Sequence, residues 1–426
     1  MKKLTAWILA ILMIFGLCAC AGQTNTDTPA AETTTQETAA STDAAPKTTE
    51  AASSGDVFKI GSYLQLTGAN SVAGNAAKMG VDLAIDYINS NGGLNGATIE
   101  IEHYDTTGST EEAVKVVQKM LTGGVDCVLG SVNSNEVAAC IPYLNEAKVY
   151  NFGMGTGASW MEDQSMIYTF RASCNNNRTV PQDVAMIQQL GYTTVAVMNS
   201  TDDSAKTTAD TFVKLCEEAG ITITTREQCD QEDSDFSGQI AKLLATNADL
   251  IFMSLQGNTF GPFTKQLRNS GYTGMICSSQ TLSIDQLDIA GMAPNTNYIF
   301  VAYPYVTYPD VESCTIPNVA EFLQKYLDKY GEMPQHESAY RGWDTVMVLY
   351  EAAKIAGSND DDALREATGK VKIEGLGGQI DFTNGDREAY ASFNGFIKFD
   401  NKDLLFDDWM AEGGYDAYLE ATGREK

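Results

Sequence analysis

Two short stretches carry the hydroxyl, amide and backbone groups that hold a small anion. They are GSVNSNEVAA at 130–139 and GMGTGAS at 153–159. In the first, Ser134 stands at the expected start of a helix. Its hydroxyl predicts a helix cap, and the N–H groups of the first turn predict a place for a carboxylate or another anion. In the second, glycines permit close backbone approach and Thr156 adds a hydroxyl. A plain cap at Ser134 and a simple loop residue at Thr156 are the alternatives that the residues alone leave open. The G-x-G-x-G spacing makes a poor dinucleotide motif, because no acid on a following strand lies about twenty residues on to meet a ribose.

Other chemistries find little support. The chain has only His103 and His336, far apart, and no HExxH, EF-hand loop, Walker A or GxSxG pattern. Asp202 and Asp203 in NSTDDSAK read either as an acid/base pair near a cleft or as solvated loop carboxylates. Neither enzyme activity nor a cofactor is expected, although an oxygen-ligand ion stays open. Cys127, Cys140, Cys174, Cys216, Cys229, Cys277 and Cys314 are odd in number and form no CxxC. They read as buried free thiols in apolar runs such as GGVDCVLG.

The start of the chain has the parts of an export leader. Lys2 and Lys3 precede the apolar run Leu4–Leu17, which is short for a membrane span, and LCAC closes it at 17–20. LCAC resembles a bacterial lipobox, with Cys20 as the lipid acceptor and 1–19 as the leader. An ordinary leader with an incidental cysteine is the alternative. Residues 21–55 contain no aromatic residue and no Leu, Ile, Val or Met. Such a segment cannot offset its ordering entropy and reads as a tether spanning roughly 30–35 Å. The formal charge of −28 becomes −30 once the leader takes Lys2 and Lys3 with it. This argues against nucleic acid and against electrostatic adhesion to anionic lipid.

The elements that must position the two stretches alternate. Strands are predicted at 58–65, 98–105, 127–130 and 148–152, and again at 194–198, 221–228, 250–254 and 274–278, with helices between. Ala77, Val81, Ala84 and Ile88 recur at helical spacing, and Ser109 with Glu112 forms a capping box. A return strand is expected at 298–305, long helices at 317–330 and 338–356, and closing strands near 378–382 and 393–399. Two such runs imply an α/β chain of two lobes, each a doubly wound parallel sheet. Ligands of such sheets bind beyond the carboxyl ends of the strands, where both stretches fall.

Several longer segments, in order behind the lipobox, carry a family resemblance. They are FKIGSYLQLTGANSVAGNAAKMGVDLAIDYINSNGGLNG, VDCVLGSVNSNEVAACIPYLNE, DFSGQIAKLLATNADLIFMS, KYGEMPQHESAYRGWDTVMVLYEAAKIAGS and SFNGFIKFD. The chain resembles the leucine/isoleucine/valine-binding (branched-chain amino acid and amide) substrate-binding proteins of ABC transporters, over nearly all of 57–400. The resemblance implies the periplasmic binding protein type 1 fold, with three crossovers near 171–173, 301–303 and 384–389. It divides the chain into lobe 1 (56–172 and 302–385) and lobe 2 (173–301 and 386–426), after a lipidated tether at 20–55. It implies a lipid-anchored, extracytoplasmic monomer that delivers a small solute to an ABC transporter permease. A sensor that presents its closed form to a membrane receptor is the alternative.

The resemblance also assigns residues. Ser134 and Thr156 match a carboxylate-gripping pair, the carbonyl of Met154 would receive an ammonium, and Gly155 lies between. Asn133 stands where a disulfide cysteine is often found. Ala73 and Ser204 stand where aromatic residues cover the ligand, Gln256 near a later aromatic, and Gln280 where an acid completes the ammonium site. Loss of the acid and the aromatics predicts weak binding of leucine, isoleucine and valine. A ligand without a free α-ammonium, or with extra polar groups, is expected instead.

Overall fold

The computed structural model describes residues 56–173, 175–256, 258–281, 283–314, 316–389 and 394–425. The leader, Cys20, the tether and Cys174 lie outside the described residues. The first run comprises β1 (Val57–Leu64), α1 (Ser71–Ser90), β2 (Thr98–Asp105), α2 (Thr110–Gly123), β3 (Cys127–Gly130), α3 (Ser134–Glu146), β4 (Asn151–Gly153) and β5 (Thr169–Phe170). Its strands form an all-parallel, five-stranded sheet in the order β2-β1-β3-β4-β5.

The second run comprises α4 (Val180–Gln189), β6 (Thr194–Ser200), α5 (Asp203–Glu218), β7 (Thr222–Cys229) and α6 (Ser237–Leu244). It continues through β8 (Leu250–Ser254), α7 (Phe260–Asn269), β9 (Ile276–Ser278), α8 (Ile284–Ala290) and β10 (Ile299–Tyr303). The chain then returns to the first lobe as α9 (Pro317–Tyr330), α10 (Ser338–Ala356), α11 (Asp361–Thr368) and the hairpin β11 (Lys372–Gly375) and β12 (Gly378–Asp381). It ends in the second lobe as β13 (Asn394–Phe399), β14 (Lys402–Leu405), α12 (Phe406–Ala411) and α13 (Gly414–Thr422). The second sheet has seven strands in the order β14-β13-β10-β9-β8-β6-β7, with β13 and β14 as an antiparallel edge. The molecule is thus α/β, with two lobes crossed three times by the chain: after β5, after β10 and after β12.

Strand periodicity places the cores. Along β6, Val195 and Val197 pack with Phe212 and Phe252 on one face, while Ala196 and Met198 pack with Met253 and Phe263 on the other. Both faces are buried, as a parallel sheet requires. In the first lobe, Ala77, Val81, Ala84 and Ile88 are all buried, and α1 lies against α10. The two helices touch backbone to backbone. A Cβ at Gly80 would stand 1.9 Å from the Ala339 carbonyl oxygen, and one at Gly342 would stand 2.4 Å from that of Ala77. No side chain fits at either position. This contact fixes the start of α1 at the cleft.

The structure shifts two expected strands and extends the C-terminus. β4 begins at Asn151, not at 148, because Lys148 takes a left-handed φ of 57° and Val149 donates its N–H to Leu144 at 3.1 Å. Those residues are spent on leaving α3. β9 begins at Ile276. The chain does not close on strands: β14, α12 and α13 follow, and Trp409, Tyr415 and Tyr418 from these helices are buried in the second core. Cys127, Cys140, Cys216, Cys229 and Cys277 are buried free thiols, and burial raises the pKa of each. Cys314 is free and half-buried. Among the described residues, no helix is long and apolar enough to cross a membrane.

Candidate functional site

Loops at the carboxyl ends of strands in both lobes enclose a cavity of about 340 Å³. From the first lobe, β1 leads into Gln65 and Gly68–Asn70, and β2 leads into Thr107 and Gly108. Asp105, the last residue of β2, organises both. Its carboxylate accepts from the N–H groups of Leu66 at 3.0 Å and Thr107 at 2.8 Å and from the Thr67 hydroxyl at 2.7 Å. Burial pushes this carboxyl up, but the Thr67 hydroxyl and the backbone donors outweigh it and hold it below its usual range.

β3 leads into Asn133, Ser134 and Asn135 at the start of α3, all three on the cavity wall. Sequence reasoning gave the cap to Ser134, and the structure corrects this. Asn133 is the cap, accepting from the Asn135 N–H at 3.0 Å. The Ser134 hydroxyl instead accepts from the Gly157 N–H at 2.8 Å, which draws the β4 loop onto the helix start. Glu136, in the first turn of α3, accepts from Thr106 at 2.8 Å and Ser131 at 2.5 Å. Burial raises its pKa against these bonds.

The glycines around Thr156 serve this contact. A Cβ at Gly155 would stand 2.7 Å from the Ser134 hydroxyl oxygen, and one at Gly157 would stand 2.8 Å from Asp203 Oδ2. The close approach they allow is to protein. Thr156 lines the cavity, whereas Met154 and Gly155 do not. The Met154 carbonyl, to which the resemblance gives an ammonium role, has a guanidinium as its neighbour. That oxygen accepts from Arg341 Nη1 at 2.5 Å, and a guanidinium there disfavours a second cation.

From the second lobe, β6 leads into Asp202, Asp203 and Ser204, β7 into Gln231 and Glu232, and β8 into Gln256. Asp202 caps α5, accepting from the Ala205 N–H at 3.0 Å and the Ser200 hydroxyl at 2.6 Å. Burial pushes its carboxyl up against these bonds. Asp203 reaches the other lobe, where its Oδ2 accepts from the Ser159 hydroxyl at 2.6 Å. Ser204 Oγ and Thr156 Oγ1 are 3.0 Å apart, so the two lobes also meet at two predicted site residues.

A smaller cavity of about 40 Å³ shares Ala69, Asn70 and Gln256 with the first. Ala73, Gln280 and His336 line it. Gln256 Nε2 donates to Gln280 Oε1 at 3.2 Å, and Gln280 Nε2 donates to the Leu255 carbonyl at 2.8 Å. Burial lowers the pKa of His336. Ile284 donates its N–H to Gln335 at 3.1 Å across the lobes beside this cavity.

The model of the periplasmic binding protein family matches residues 57–394. The chain belongs to this family. A curated relative, Leu/Ile/Val-binding protein homolog 1 of Brucella suis biovar 1 (strain 1330), is 26% identical over 312 residues, which cover 72% of this chain and 81% of the relative. Two solved binding proteins share the fold. One is the branched-chain amino acid transporter substrate binding protein LivJ from Streptococcus pneumoniae, in complex with isoleucine. It superimposes with a TM-score of 0.70 at 23% identity, covering 82% of this chain and 98% of its own. The other is an ABC transporter solute binding protein from R. palustris, in complex with benzoate, with a TM-score of 0.73 at 16% identity over 82% and 95%.

For this member of the periplasmic binding protein family, the larger cavity takes in Asn133, Ser134, Thr156, Ser204 and Gln256 of the residues read from sequence, and the smaller takes in Ala73, Gln256 and Gln280. Sequence reasoning missed Gln65, Thr107, Gln231 and Glu232 as wall residues. Each follows a strand at its carboxyl end, so the rule that located Ser134 would have found them. It also read Asp202 and Asp203 only as an acid/base pair or as solvated loop carboxylates, not as ligand contacts. Among the described residues, no group of three or more His, Cys, Asp or Glu side chains is placed to hold a metal ion.

Proposed function

We propose that this chain is the extracytoplasmic, lipid-anchored binding component of an ABC importer, and that it captures an α-amino acid with a polar side chain between its lobes. One observation carries the reading. The wall of the larger cavity has the N-terminus of α3 with Ser134 and Thr156 on one side and the carboxylates Asp202, Asp203 and Glu232 on the other, with no lysine, arginine or histidine among the described residues. A helix start with hydroxyls favours a carboxylate, and three acids favour a cation. A zwitterion satisfies both. The acid missing at Gln280 is thereby supplied from the β6 and β7 loops. The amides of Gln256 and Gln280 both donate and accept, which suits an amide or hydroxyl on the ligand's far end.

The family membership supports delivery to a permease. The division into lobe 1 (56–172 and 302–385) and lobe 2 (173–301 and 386–426) is the one that the two sheets favour. The anchor at Cys20 rests on the lipobox alone. Cys20→Ser should free the chain from membranes and Cys18→Ser should not, as read by fractionation. The benzoate complex of the R. palustris neighbour raises an aromatic acid as a second ligand class. Among the described residues, the larger cavity offers such a ring no aromatic side chain and three acids, which argues against it. A thermal-shift screen of the purified chain tests the reading. L-Amino acids with amide or hydroxyl side chains should raise the melting temperature, and benzoate should not. A shift with benzoate and with no amino acid would overturn it.

A further inference from the structure

The loop that carries Thr156 is held from behind by its carbonyl oxygens. Met154 O accepts from Arg341 Nη1 at 2.5 Å, and Gly155 O and Gly157 O accept from Arg171 Nη1 at 2.9 Å and 2.6 Å. Both arginines are buried, and each is paired with a buried glutamate. Arg171 Nη2 meets Glu388 Oε2 at 2.8 Å, and Arg341 Nη2 meets Glu337 Oε1. The Arg171 guanidinium also lies 4.3 Å from the centre of the Trp160 ring.

Each pair reaches into the crossings between the lobes. Arg171 opens the first crossing. Its N–H donates to Arg387 O at 3.0 Å and its carbonyl accepts from the Ala389 N–H at 2.9 Å, both in the third crossing. Glu388 in the third crossing accepts in turn from the Asn175 N–H of the first at 2.7 Å. Arg341 Nη2 donates at 3.2 Å to the hydroxyl of Tyr303, the last residue of β10, where the second crossing begins. Residues 154–157 are therefore tied to all three crossings through two ion pairs.

Burying an ion pair costs desolvation that well-packed apolar side chains avoid, so such pairs are poor devices for stability alone. What these two achieve is orientation. With the carbonyls at 154, 155 and 157 turned to arginine, Thr156 remains to face the cavity. We propose that Arg171 and Arg341 are positioning residues that make the shape of the 154–157 loop depend on the crossings. The solute-gripping side of the first lobe is then set only while the crossings hold the arrangement seen here. This rests on the interlobe cavity being the solute site, but not on which solute it takes.

Native-state hydrogen exchange on the unmodified mature chain tests it without any ligand, so its failure is separable from failure of the amino-acid reading. The amides of Met154, Gly157, Arg171 and Ala389 should share one protection factor within about threefold, and one urea dependence, because they open as a unit. A loop that opens tenfold or more readily than Arg171 and Ala389 would overturn the proposal. Glu388→Gln and Glu337→Gln keep shape and remove charge. Each should speed exchange across 153–159 at least tenfold while leaving β8 within twofold, and Glu388→Asp should restore part of the protection. No change in the loop, or an equal rise throughout the first lobe, would reduce the pairs to structural ones. If a variant fails to fold, the measurement on the unmodified chain decides alone.

Discussion

Among the described residues, the first lobe meets the larger cavity with amides, hydroxyls and the N-terminus of α3, without a charged side chain, whereas the second meets it with Asp202, Asp203 and Glu232. The difference also shows in how the walls are held. The first wall is fixed by neutral donors turned inward, such as Gly157 N–H on Ser134, and by arginines behind it. The second keeps its carboxylates at the cavity, one of them already bonded across to Ser159. A partner that satisfies both sides must be negative at one end and positive at the other. On the proposed reading, the charge that the resemblance expects at Gln280 is supplied by Asp202, Asp203 and Glu232.

The strongest way to break this contrast is to neutralise the second wall. Asp203→Asn should weaken an L-amino acid by about a hundredfold, since truncating one partner of a desolvated, hydrogen-bonded charge pair costs 2–5 kcal/mol or so. Calorimetry against the unmodified chain reads it, and an unchanged Kd would place the cation elsewhere. Neutralising the first wall comes next. Thr156→Ala and Ser134→Ala each remove a donor to a charged group worth roughly 1.5–3 kcal/mol, so each should weaken a carboxylate ligand by roughly tenfold to a hundredfold. Ser134→Ala should also free the Gly157 N–H, which exchange can detect; if both variants bind normally, the anion lies elsewhere.

Acid should sharpen the contrast, because only the second wall carries carboxyl groups among its described residues. Burial raises Asp202, so it takes up its proton above the ordinary carboxylate value of about 4. Binding of an ammonium should therefore weaken as the pH falls into the range above that value, by about threefold to tenfold, and Asp202→Asn should flatten the profile. The same shift has the opposite sign for folding. The stability that Asp202 contributes is complete below the unfolded pKa and is lost as pH rises through the folded one. Asn is as good a helix cap as Asp, so the variant should fold. A pH-independent Kd in the unmodified chain would remove Asp202 from the ammonium site. The smallest effect belongs to Asn133→Ala, which removes the α3 cap and should cost about 1 kcal/mol in urea unfolding. An equal loss of binding energy would show that the cap also orders the first wall.

Much of the fold was legible in the chain. β2, β3, β8, α9 and α10 fall on the spans that periodicity and punctuation predict, because each is bounded by its own local signals. The C-terminal segment was not legible. β14 is four residues long and α12 is six, too short for a period to show, and what fixes them is the burial of Trp409, Tyr415 and Tyr418 in the second core.

For the site, the sequence by itself determined which residues follow strands at their carboxyl ends, and so brought Ser134 and Thr156 to notice; Ser204 and Gln256 came from the family resemblance. It could not decide what those groups bond to. Ser134 meets Gly157, Ser159 meets Asp203 and Met154 meets Arg341, at separations of 23, 44 and 187 residues. Hydrophobic period and turn chemistry act over a few residues and place elements. They carry no information about a hydrogen bond between residues so far apart, within the first lobe or across to the second, which depends on how two sheets and three crossings are set against each other. The tertiary structure alone decided that the cap is Asn133, that a guanidinium holds the carbonyl assigned to an ammonium, and that Asp203 stands in the cleft.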